Sequence, residues 1–88
     1  MPIIATFYGL LVRMHHGDHG PPHVHAEYQG HRAMISLGNG SIMNGSLPPT
    51  AARLMREWIL SHQAELQNDW TLAQAYQPLL RISGDDHD

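Results

Sequence analysis

The sequence predicts an α+β fold, a small antiparallel meander sheet of three to five strands packed against one or two C-terminal helices. Two observations carry this expectation. Apolar residues alternate with polar ones through the first half of the chain, between turns marked by Gly, Pro and Asn, and from about Thr50 they recur instead at spacings of three and four. With 88 residues there is room for one hydrophobic core. A single domain is therefore expected over residues 1–82, followed by a polar, disordered tail over residues 83–88.

The elements follow in order. Ile3 to Met14 is β-branched, aromatic and apolar, with Gly9 as a bend or bulge, which predicts a strand in two pieces. His16 to Pro22 holds Gly17, Asp18, Gly20, Pro21 and Pro22, so it is a loop, stiffened at its end by the prolines. Val24, Ala26 and Tyr28 then alternate with His23, His25 and Glu27. If Gln29-Gly30 is a two-residue turn, Glu27 faces Arg32, His25 faces Met34 and Val24 faces Ile35, leaving one apolar face and one face with the histidines. After the turn signal Gly38-Asn39-Gly40, Ser41 to Met43 predicts a short further strand, ended by Asn44-Gly45. Pro48-Pro49 opens the helical part.

Leu54, Met55, Trp58, Ile59, His62, Leu66, Trp70 and Ala73 mark an amphipathic pattern from about Thr50 to Tyr76, with both tryptophans expected to pack against the sheet. Unbroken, it would run about 40 Å at ~1.5 Å per residue, too long for a chain of this size. Two helices are expected, split between Ser61 and Asn68. Pro78 ends the pattern, and Leu79 to Ile82 is expected to return as an edge strand.

Composition narrows the function. There is no Cys, which excludes disulfides and thiolate metal sites and leaves stability to packing, oligomerisation or a non-sulfur ligand. A homo-oligomer is compatible with that. Residues 1–5 lack a signal-peptide pattern and no apolar run is long enough to span a bilayer, so a soluble cytoplasmic protein without membrane contact is expected. The net charge is -3 with no Lys, which argues against broad binding to a phosphate backbone. Eight histidines are the outlying feature, and five of them, His15, His16, His19, His23 and His25, fall within eleven positions.

His23-Val24-His25 is the strongest arrangement within that segment. Side chains at i and i+2 of a strand project the same way with Cα atoms roughly 6.5 Å apart, so two imidazoles can meet one ion or one substrate. Glu27 extends the stripe, and His23, His25 and Glu27 make a two-histidine, one-carboxylate set suited to Zn or non-haem iron, although the Arg32 expected opposite would compete for the carboxylate. Asp18 and His19 end the loop that delivers this strand, where Asp18 can orient a histidine tautomer in the manner of acid-base sites. His15, His16, His31 and His62 are read as structural, and Arg53 and Arg56 as a solvated helix face.

Phe7-Tyr8-Gly9, Met14, the run Asp18-His19-Gly20-Pro21-Pro22-His23-Val24-His25-Ala26-Glu27-Tyr28, Leu47-Pro48, Trp58, His62-Gln63-Ala64-Glu65-Leu66 and Trp70 together resemble the small bacterial family of domain of unknown function 4160. The resemblance spans Pro2 to about Leu80 and is most specific in the Asp18 to Ala26 core. It implies the same fold and puts Asp18, His19, His23 and His25 at the family signature. It also implies a gene neighbour of the domain of unknown function 2442 type, in an arrangement similar to toxin-antitoxin pairs.

Three functional readings follow. In the first, the protein is one component of such a two-gene module, binds a small protein partner and uses Asp18, His19, His23 and His25 as catalytic groups for acid-base chemistry on RNA. In the second, His23 and His25, with Glu27, Asp18 or His19, hold a divalent transition metal such as Zn as cofactor. In the third, the protein is a non-enzymatic interaction module that docks a partner through the sheet edge or a helix face.

Overall fold

The computed structural model describes residues 2–84 of the chain. Five strands, β1 (Ile3–Phe7), β2 (Leu10–Arg13), β3 (His23–Tyr28), β4 (His31–Ser36) and β5 (Ile42–Gly45), form one antiparallel sheet in sequential order, and two helices follow, α1 (Pro49–Ser61) and α2 (Gln63–Gln74). The long N-terminal strand is broken by a two-residue hairpin at Tyr8-Gly9, and Gln29-Gly30 joins β3 to β4 in the same way. All four turn residues have positive φ, the combination that matches the twist of a tight hairpin. The register between β3 and β4 pairs Val24 with Ile35, His25 with Met34 and Glu27 with Arg32, as the alternation predicts.

Alternation then sorts the two faces. Val12, Val24, Ala26, Ala33 and Ile35 join Ala51, Met55, Trp58, Ile59, Leu66 and Ala73 in one buried core. Arg13, His25, Glu27, Arg32 and Met34 occupy the alternate positions of β2, β3 and β4. Trp58 is fully buried and stacks on Phe7 with ring centroids 5.0 Å apart. An aromatic of this size contributes on the order of 3–5 kcal/mol against truncation to alanine.

The helical pattern breaks at His62, within the expected interval. His62 leaves helical geometry at φ -123°, and its Nδ1 bonds the carbonyl of Trp58 at 2.8 Å. Gln63 donates from its side chain to the carbonyls of Leu37 (2.7 Å) and Ile59 (3.2 Å), which ties the junction to the end of β4.

Two expectations are corrected. Asn44-Gly45 does not end the last strand but lies within it, because a register shift between Met34 and Ile35 lets Met34 pair with Asn44 and Ala33 with Gly45. A Cβ at Gly45 would meet the Arg32 carbonyl, so only glycine fits there. Leu79 to Ile82 forms no strand. Its backbone groups go elsewhere: Leu80 donates to Asp69 Oδ1, Ser83 accepts from the Trp58 indole, and Ile82 alone bonds β1, donating to Ile4 at 2.8 Å. As expected, both tryptophans pack against the sheet side of the core: Trp70 is half-buried, lies against the core cluster and meets His23 of β3 with ring centroids 5.5 Å apart, while its neighbour Asp69 is completely buried. Residues 85–88 of the expected tail, with His87, lie outside the described residues. Among the described residues no helix is long and apolar enough to cross a membrane.

Candidate metal centre

The loop from Met14 to Pro22 carries the chain from β2 to β3, and the end of α2 holds it in place. Gly17 donates its N–H to the Ala73 carbonyl (3.0 Å), Gln74 donates from its amide to the Asp18 carbonyl (2.9 Å), and His16 Nε2 bonds the Gln77 carbonyl (2.8 Å). Gly17 has φ +66°, and a Cβ there would overlap the Tyr76 ring. The loop therefore passes close under Tyr76 and turns Asp18 toward the first residues of β3. The Asp18 side chain is fixed at its other oxygen, Oδ1, by the backbone N–H of His19 at 2.9 Å.

Oδ2 of Asp18 is the meeting point. His23 Nε2 stands 2.9 Å from it and His25 Nε2 stands 3.3 Å from it. His15 closes the group by stacking on His25, with centroids 3.9 Å apart and an interplanar angle of 15°. His15, Asp18 and His25 each present one ligand atom, all within 4.8 Å of one another, a grouping that could close on one ion and to which His23 is adjacent through Asp18 Oδ2.

The protonation pattern is informative. His23 is 3% exposed, and its Nδ1 lies 2.9 Å from the Pro21 carbonyl. A carbonyl only accepts, so Nδ1 carries the proton and, in the neutral ring, Nε2 is left as a lone pair. Nε2 meets no strict hydrogen-bond criterion although it lies 2.9 Å from Asp18 Oδ2. A buried ring nitrogen thus confronts a carboxylate, an arrangement that positive charge relieves, either as a proton on Nε2 or as a metal cation between the two. Nδ1 bonded to a backbone carbonyl, with Nε2 free, is also how proteins fix metal-binding imidazoles.

Charge in the surroundings acts in the same sense. Burial raises the Asp18 carboxyl, but the hydrogen bonds from His25 and the His19 amide and the proximity of His23 outweigh it, leaving Asp18 below its ordinary value and ionised at neutral pH. Burial and the neighbouring His25, opposed by Asp18, lower His15, which keeps that ring neutral and able to ligate.

The site residues expected from sequence separate here. Asp18, His23 and His25 come together. His19 contributes its backbone amide while its ring is exposed. Glu27 stands apart, since Arg13 Nε donates to Oε2 at 3.1 Å and Arg32 Nε lies 3.7 Å from Oε1. Its carboxylate is occupied by arginines, one of them the expected cross-strand neighbour. His15, read as structural, joins the cluster instead. The signal that would have found it is register: β2 pairs Arg13 with His25, and continuing that ladder brings His15 abreast of His23.

Beside the cluster a groove of about 480 Å³ runs over the face of the sheet, lined by Arg13, His15, His25, Glu27, Arg32 and Met34, with Asn44 from β5 at its rim.

The profile of the family described as Domain of unknown function (DUF4160) matches residues 9–71, which include the whole cluster. The chain belongs to this family. No curated protein and no solved structure matches the chain. The matched span of DUF4160 takes in β2 through the first nine residues of α2, and leaves β1 and the segment after α2 outside it.

Proposed function

We propose that this DUF4160 chain binds a divalent transition metal through Asp18, His23, His25 and His15. The observation that carries the reading is His23 Nε2, a buried ring nitrogen without a geometrically satisfied hydrogen bond, 2.9 Å from the carboxylate oxygen that His25 also approaches. Three imidazoles and one carboxylate, with no sulfur, suit Zn(II) or another borderline first-row ion. The sequence-based set of His23, His25 and Glu27 is thereby changed: Asp18 supplies the carboxylate, because Glu27 is engaged with Arg13 and Arg32.

Untagged protein dialysed against Zn(II) or Co(II) should retain one equivalent, and Co(II) should give the intense visible absorption of a four-coordinate site. His23→Ala should weaken binding at least about 10-fold, while His19→Ala should leave it unchanged. Protein that holds no stoichiometric metal, or that binds it equally after His23→Ala, would overturn the assignment.

A second reading has one observation in its favour. His25 Nε2 is hydrogen-bonded to Asp18 Oδ2, which orients the ring and leaves Nδ1 as a base, the pairing used in acid-base cleavage of RNA. It predicts nuclease activity that survives chelators.

A further inference from the structure

We infer that the groove beside the metal centre is a receptor for a small phosphorylated ligand, held by Arg13 and Arg32 and completed by the bound metal. The inference rests on the metal reading above. Arg13 on β2 and Arg32 on β4 flank Glu27 on the strand between them, and both turn their Nε edges to its carboxylate, at 3.1 Å and 3.7 Å. Their terminal guanidinium nitrogens make no hydrogen bond to any described residue. A carboxylate that braces two guanidiniums by one edge leaves the forked end of each available, and that fork is the group that matches phosphoryl oxygens two at a time.

The lining agrees with an anion of limited size. Two guanidiniums against one carboxylate make the groove net positive, and His15 and His25 bring the metal cluster to its wall. Met34 adds an apolar surface and Asn44 an amide, which suits an organic group attached to the phosphate. At about 480 Å³ the space falls within the range of small-ligand sites. A polyanion is a poorer fit, because the chain as a whole carries -3 and has no Lys to track a backbone.

The test uses the full chain loaded with Co(II). Inorganic phosphate, and separately phenyl phosphate, should perturb the cobalt absorption and give saturable heat by calorimetry, with phenyl phosphate the tighter of the two. Arg32→Gln should weaken phosphate binding by at least about tenfold with Co(II) affinity unchanged; the side chain is 83% exposed, so the variant should fold. Arg32→Lys, which keeps the charge but not the fork, should recover only part of the loss. A cobalt-loaded protein whose spectrum and heats ignore phosphate overturns the inference while leaving the metal site standing, as does unchanged affinity in Arg32→Gln. Failure to bind Co(II) at all removes both. Single-stranded oligoribonucleotide binding tighter than phenyl phosphate, with a steep salt dependence, overturns the assignment to a small ligand.

Discussion

Gly17 shows how one backbone position decides whether the cluster exists. Its φ of +66° lies where side-chain-bearing residues are strained, and the space beyond its Cα is already taken by Tyr76. Asp18 follows immediately, so displacing residue 17 displaces the carboxylate. Gly17→Ala should cost about 1–3 kcal/mol and should weaken metal binding as well. Chemical denaturation and a metal titration on the same sample check this, and an unchanged midpoint would contradict it. His23 is the complementary case: its position as the first residue of β3 follows from the alternation, but its protonation pattern comes from the Pro21 carbonyl two residues earlier.

At the scale of elements, α2 stands out because the face it buries carries a carboxylate between Leu66 and Ala73. Asp69 is fully buried, Oδ1 accepts from the Leu80 amide at 2.9 Å, and Oδ2 has no partner. Burial raises its carboxyl, against the Leu80 hydrogen bond and with a contribution from Glu65. The folded state therefore favours the protonated acid. Its contribution to stability is full below the unfolded value near 3.8 and is lost as the pH rises through the higher folded value. Asp69→Asn keeps a carbonyl for Leu80 and carries no charge. It should raise stability at pH 7 by about 1 kcal/mol or more and flatten the decline between pH 4 and pH 7. Thermal melts of both proteins across that interval decide the matter, and parallel curves would contradict it. The same carboxylate explains why Leu79 to Ile82 does not extend the sheet, since the amide of Leu80 is committed to a helix rather than to β1.

For the whole molecule, a metal in the proposed site would tie the loop between β2 and β3 to the strands it joins, in addition to the core that β2, β3 and α2 already share. His15 follows β2, Asp18 lies in the loop held by the end of α2, and His23 and His25 belong to β3. A metal at 100 times its dissociation constant stabilises the folded chain by about 2.7 kcal/mol, which for a chain of this size is roughly 10 to 20 °C in melting temperature. Differential scanning fluorimetry with and without Zn(II) should show that shift and its reversal by chelator. A melting temperature indifferent to Zn(II) would count against a site shared between these elements.

Local rules were enough for the hairpin at Gln29-Gly30, the β3 and β4 register, the break near His62 and the projection of His23 and His25 together, because each depends on residues within a few positions. The family resemblance, too, was most specific in one contiguous run, Asp18 to Ala26. Tertiary structure decided what comes from elsewhere in the chain: His15 stacked on His25, Asp18 in place of Glu27 beside the imidazoles, and Asp69 buried under the segment after α2. A side chain's direction follows from backbone period and can be read along a sequence. Its partner depends on how distant segments return, and α2 clamps the loop at Gly17 and Asp18 from more than fifty residues away.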